Sequence, residues 1–252
     1  MSDKARIMAH IVPYYPDKER SWDAARALID AGVAYLEVQF PYSDPSADGP
    51  VIEAACSSVL RNGFRSRDGF EFVREITRYS PVPVYIMTYA GMVFAPGVES
   101  FVAAVKAAGA TGLIVPDLPV DYDEGVYAAG AAHELDIVPV VVSGSPVNRL
   151  DATRARKPSS VYAALRRGIT GAQTAIDQET LEFLRSISSW GVRVYGGFGI
   201  RTPEQVAAVA EHVDAVVVGT AFVSTITCAV ETGSSVYDAV RSFAASLVNC
   251  TE

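Results

Sequence analysis

Short apolar runs rich in Val, Ile, Leu and Tyr alternate along this 252-residue chain with longer, Ala-rich segments. The runs are Ile7–Tyr14, Tyr35–Phe40, Val82–Thr88, Gly112–Val115, Ile137–Val142, Ser160–Ala164, Val192–Gly196 and Ala215–Val218. Each fits a strand covered on both faces, as in a parallel sheet. The segments between them carry helical spacing. Ala24, Ala25, Leu28 and Ile29 make one apolar stripe, and Phe101, Val102, Val105 and Ala108 make another. Phe183, Leu184 and Ile187 do the same before the seventh run. Thr202 followed by Pro203 is an N-cap with proline at the first helical position.

Eight strand–helix units follow one another, mostly 20–32 residues apart from strand to strand. The second-to-third gap is longer and has room for two helices, Pro50–Asn62 and Arg67–Tyr79. Eight such units in about 250 residues is the arithmetic of a (β/α)8 TIM barrel, here with an extra helix after strand 2. A doubly wound open sheet is the alternative; the absence of an early GxGxxG and the even spacing favour closure. No linker or low-complexity segment interrupts the pattern, so residues 1–252 read as one barrel domain.

Composition narrows the chemistry. Half of the residues are hydrophobic and a fifth are charged, which excludes disorder. The net charge of −8 argues against a general nucleic-acid binder. The apolar runs break well before the length of a membrane span, and the N-terminus lacks signal-peptide organisation. Cys56, Cys228 and Cys250 are scattered and odd in number, which fits a reducing cytoplasm. His10, His133 and His212 are scattered too, and no cluster has metal-ligand spacing. Acid–base chemistry therefore falls to carboxylates or tyrosines.

The loop after the second run is the most informative stretch. Alternation puts Leu36, Val38 and Phe40 under the helices and turns Glu37 and Gln39 into the barrel. A lone carboxyl there is costly unless paired or protonated, and desolvation raises its pKa toward the range of a proton donor and acceptor. A structural Glu bonded to backbone or to a tyrosine is the other reading. Downstream, Asp48 precedes Gly49-Pro50, where a helix restarts. It reads equally as the cap of that helix or as a catalytic partner at the C-terminal mouth.

The last three strands end in glycine-bearing turns: Gly168-Ile169-Thr170-Gly171, Gly196-Gly197-Phe198-Gly199-Ile200 and Gly219-Thr220-Ala221. Glycines let backbone N–H groups approach an anion, and a helix starting after Gly219-Thr220 adds its dipole. This is the usual place of a barrel's phosphate site. The residues thus describe a barrel enzyme for a small phosphorylated substrate, with Glu37 as acid/base and Asp48 as partner.

The stretch Pro41-Tyr42-Ser43-Asp44-Pro45-Ser46-Ala47-Asp48-Gly49-Pro50, preceded by Leu36-Glu37-Val38, resembles the signature of tryptophan synthase α subunits. Met87-Thr88-Tyr89-Ala90, Pro116-Asp117-Leu118-Pro119, Gly197-Phe198-Gly199-Ile200 and Pro203-Glu204-Gln205-Val206 extend the resemblance over almost the whole chain. It implies retro-aldol cleavage of indole-3-glycerol phosphate to indole and glyceraldehyde 3-phosphate. Glu37 would move the protons and Asp48 would hold the indole N–H. The phosphate would lie on Gly171, Gly199, Gly219 and Thr220, and the loop through Thr170 would close over the substrate. The indole pocket would use Tyr14, Met87, Tyr89, Val142, Tyr162 and Phe198. The resemblance also implies no cofactor in this chain, and a pyridoxal-phosphate β subunit that receives indole in an α2β2 complex. Gln39 stands where the family usually has Gly, Gly91 where it has Asn, and Thr220 where it has Ser. An α-like subunit that mainly activates its partner, or another phosphate-sugar barrel enzyme, are the competing readings.

Overall fold

The computed structural model describes residues 6–165 and 176–251. Strand β1 (Arg6–Ile11) leads into helix α1 (Lys18–Asp30), and β2 (Tyr35–Gln39) into α2 (Pro50–Arg61) and α3 (Ser66–Tyr79). Then follow β3 (Val84–Met87), the short α4 (Ala90–Phe94), α5 (Val98–Ala107), β4 (Gly112–Ile114) and α6 (Val126–Ala132). Two three-residue strands, β5 (Asp136–Val138) and β6 (Val140–Val142), precede α7 (Val147–Ala155) and β7 (Ser160–Ala164). The chain ends with α8 (Gln178–Ser188), β8 (Arg193–Gly197), α9 (Pro203–Ala210), β9 (Ala215–Val218), α10 (Thr220–Glu231), α11 (Val236–Val248) and a 3-10 turn at Asn249–Thr251.

All strand pairs are parallel, in the order β5-β4-β3-β2-β1-β9-β8-β7-β6. The two end strands are consecutive in the chain, separated by Pro139 alone. Proline has no N–H for the ladder, so it divides one barrel strand into two. Its carbonyl still accepts a hydrogen bond from Tyr162 N at 2.9 Å. The sheet therefore closes into the (β/α)8 barrel that the spacing predicts, and the extra helix after strand 2 is α2.

Strand alternation sorts the side chains into two layers. Ile7, Ala9, Ile11, Leu36, Val38, Phe40 and Ile86 point outward and pack with helix residues such as Ala24, Leu28, Phe72 and Ile76. Met8, Tyr35, Tyr85, Tyr195, Ala215 and Val217 fill the interior. At the N-terminal end the Tyr85 and Tyr195 hydroxyls meet at 2.9 Å, and Tyr85 donates to Asp136 at 3.1 Å. Burial pushes both phenols up, Tyr195 to about 12, so both stay neutral donors in this floor. With the floor plugged by aromatic rings, open space is left at the C-terminal ends of the strands.

Several boundaries differ from the periodicity. Strand β1 ends at Ile11, and Tyr14 turns away with a positive φ of 62°. The short helix α4 and the terminal α11 carry no signal that the apolar runs announced. Thr202 does cap α9, in a reciprocal capping box with Gln205.

Candidate functional site

A cavity open at the mouth of the barrel is lined by residues from nearly every strand end. Buried polar side chains meet in it, among them His10 (4% exposed), Glu37 (4%), Gln39 (1%) and Asp48 (5%). His10 and Glu37 are direct neighbours in the β1–β2 register. His10 Nδ1 lies 3.2 Å from Glu37 Oε1. Glu37 is therefore not the lone carboxyl of the alternation argument; an imidazole answers it, and among the described residues no backbone or tyrosine bond does. Glu37 Oε2, His10 Nε2 and Gln39 Oε1 are buried without a hydrogen-bond partner among the described residues. Buried polar atoms are rarely left so, and three around one cavity mark a place for a ligand's polar groups.

Asp48 is placed by its own network. The N-cap of α2 is Gly49 and carries no side-chain cap bond, so Asp48 is not the cap. Instead its Oδ2 accepts from Gln39 Nε2 at 2.5 Å and from the Tyr89 hydroxyl at 2.9 Å. The Tyr89 oxygen in turn accepts from Ala47 N at 3.2 Å, and its ring stacks on Tyr42 at 5.3 Å. Desolvation raises the Asp48 pKa above the usual carboxylate value; the Gln39 bond, the nearby His10 and the Tyr89 bond oppose it. Both donors share Oδ2, which leaves Oδ1 available to a further donor.

Around this polar centre the walls are apolar: Met87, Ile114, Val140, Tyr162, Phe198 and Val217. The Tyr162 phenol is held far above its ordinary pKa by burial and by the two carboxylates, so it stays neutral. Gly199, Gly219 and Thr220 complete the rim. Gly219 is the N-cap of the twelve-residue α10, whose first N–H groups have no partner inside the helix. Phe198 holds a φ of 101°, a strained value for an aromatic residue of the kind that clusters at functional sites.

The cavity thus brings together Glu37, Asp48, Met87, Tyr162, Phe198, Gly199, Gly219 and Thr220 from the residues singled out in the sequence. Tyr89 stands behind them, reaching the site through Asp48. Tyr14 is elsewhere: past the end of β1 its ring packs edge-on against Phe64 and Phe72, outside the barrel. Val142 lines an adjacent cavity toward α7, and Val140, two residues lower, takes the wall position. Thr170 and Gly171 lie outside the described residues. His10 is the residue that sequence reasoning missed. The alternation that turned Glu37 inward, applied to β1, puts Met8 and His10 inside as well.

By fold the chain falls in the class of (β/α)8 barrel enzymes, with its cavity at the C-terminal ends of the strands. The family model of the tryptophan synthase alpha chain matches residues 1–251. The chain belongs to that family. It is 37% identical over 227 residues to the tryptophan synthase alpha chain of Helicobacter hepaticus, covering 87% of this chain and 85% of that one. The Mycobacterium tuberculosis protein of the same name is 37% identical over 227 residues, covering 90% and 84%. Among solved structures, M. tuberculosis tryptophan synthase superposes with a TM-score of 0.89 at 33% identity, over 99% of this chain and 93% of that one. A chain of the Pyrococcus furiosus α2β2 complex gives 0.88 at 28% identity, over 99% and 100%.

Proposed function

We propose that this chain cleaves indole-3-glycerol phosphate to indole and glyceraldehyde 3-phosphate, with Glu37 and Asp48 as its two working carboxylates. The observation that carries the reading is their convergence, from a strand and from the following loop, on one cavity with open polar atoms. The reaction needs a proton delivered to ring carbon 3, a side-chain hydroxyl deprotonated and positive charge on the ring nitrogen stabilised. Glu37 Oε2 serves carbon 3. Asp48, fixed through Oδ2, receives the indole N–H on Oδ1. Met87, Tyr162, Phe198 and their apolar neighbours enclose the ring. The phosphate rests on Gly199 and on Gly219 and Thr220 at the start of α10, with Thr170 and Gly171 as further contributors.

The P. furiosus relative is an α2β2 complex. We assign this chain the same arrangement: a cytoplasmic α subunit without a cofactor of its own, passing indole to a pyridoxal-phosphate β subunit. Indole release from indole-3-glycerol phosphate, measured with the purified chain and again with a β subunit added, tests the activity. Release in both conditions, faster with β, is the expected result. A β-activating chain that releases no indole would point to the purely regulatory role instead.

A further inference from the structure

We propose that His10 is a catalytic residue of this site, taking the substrate hydroxyl proton through Nε2 while Glu37 serves ring carbon 3; this rests on the activity proposed above. The imidazole is fixed between two features. On one side its Nδ1 meets Glu37 Oε1 at 3.2 Å. On the other, the ring lies against Gly219 at the start of α10, where a Cβ would stand 3.5 Å from it. It thus sits between the carboxylate that faces the heteroaromatic ring and the turn that takes the phosphate. The hydroxyl-bearing carbons link those two ends of the substrate. Its Nε2 is buried, lines the cavity and has no partner among the described residues. In the tautomer that donates Nδ1–H to Glu37, Nε2 carries the lone pair that a general base requires.

The proton count closes without any other reactant. Protonated Glu37 gives the Oε2 proton to ring carbon 3, and positive charge forms at the ring nitrogen beside Asp48. The hydroxyl O–H bond breaks, its proton goes to His10 Nε2 and its electrons form the aldehyde C=O. The electrons of the broken C–C bond return to the ring and neutralise the nitrogen. Passage of the Nδ1 proton across the 3.2 Å contact to Glu37 Oε1 restores both charges, and exchange with water restores the tautomer. Among the described residues, Glu37, Asp48 and Tyr162 are the titratable groups lining the cavity with His10. Tyr162, neutral and far above its ordinary pKa, does not compete as a base.

Two variants test this. His10→Asn keeps a side-chain donor where Nδ1 stands but has no base at Nε2; His10→Ala leaves room for added imidazoles. We expect His10→Asn to lower kcat for indole release by roughly 100-fold or more with KM changed less than about threefold, the range of a lost general base. We expect imidazoles to rescue His10→Ala increasingly as their own pKa rises, a dependence that mere filling of space does not produce. His10→Gln replaces His10→Asn if the latter fails to fold, as judged by its thermal transition. A kcat within about threefold of the parent, or rescue independent of imidazole basicity, overturns the proposal while leaving the activity standing. A parent chain without indole release overturns the activity, and this proposal with it.

Discussion

Asp48 shows how a single residue is held against its own solvation. Desolvation pushes its pKa up, whereas Gln39 and Tyr89 donate to the same oxygen and pull it back. Removing a donor must therefore raise it further. Gln39→Gly is expected to move the acid limb of the kcat/KM profile to higher pH than in the parent; an unmoved or lower limb would contradict the assignment of Gln39 as the clamp. Stability follows the same sign. With the folded pKa above the unfolded one, the ionised group weakens the fold as pH rises from the usual Asp range through the folded value. Asp48→Asn keeps an acceptor for both donors and loses the charge. It should raise Tm at pH 7 by about 1–4 °C while depressing indole release, and a fall in Tm on a melting curve would count against this reading. How far such a site could be read in advance depends on the kind of contact. Glu37 is legible because strand alternation alone turns it inward. The Gln39–Asp48 clamp is not, since it depends on how the ten-residue loop 40–49 folds back. The apolar run of β1 continues to Tyr14, so periodicity does not show the turn after Ile11 that throws that ring outside the barrel.

Among the elements, the closest approaches decide tolerance. Strands β8 and β9 pair beside the cavity at Gly197, where a Cβ would meet Val217 Cβ at 2.7 Å and its carbonyl at 3.0 Å. Gly197→Ala should cost about 1–3 kcal/mol, the range of an overpacked interior, read from urea unfolding; an unchanged midpoint would mean the strands can separate there freely. Gly91 in α4 is tight in another way. A Cβ there would meet the Tyr42 hydroxyl at 2.6 Å, and Tyr42 stacks on Tyr89, which holds Asp48. Gly91→Asn, the residue usual in the family, should therefore displace Tyr42 and lower indole release by several-fold unless the ring swings clear; equal or higher rates would show that it does. The run Ile137–Val142 is a single strand by periodicity, and Pro139 within it is the signal of the break that the structure shows. Val140 rather than Val142, on the same face but deeper in the barrel, lies at the cavity wall. Helix α4 is only five residues long, too short for periodicity to distinguish from a loop.

Across the whole molecule, chemistry and anchoring are separated along the barrel axis. The tyrosine floor fills the N-terminal end, the carboxylates and imidazole occupy the middle, and glycine-rich turns ring the mouth. This order explains how a chain of net charge −8 can suit an anionic substrate. Backbone N–H groups and the α10 dipole are local, so a basic surface is not needed. The proposed complex makes a separate prediction: mixed with a β subunit, the chain should elute as a species of α2β2 mass by light scattering, and two persistently separate peaks would contradict it. The central claim is that Glu37 gives the proton to ring carbon 3 in a retro-aldol cleavage. Its most direct test is indole release from indole-3-glycerol phosphate by the parent chain and by Glu37→Gln, with the thermal transition recorded for both. The parent should release indole, and the variant should fold and lose at least roughly 100-fold of that rate. A folded Glu37→Gln chain that cleaves at the parent rate would contradict it.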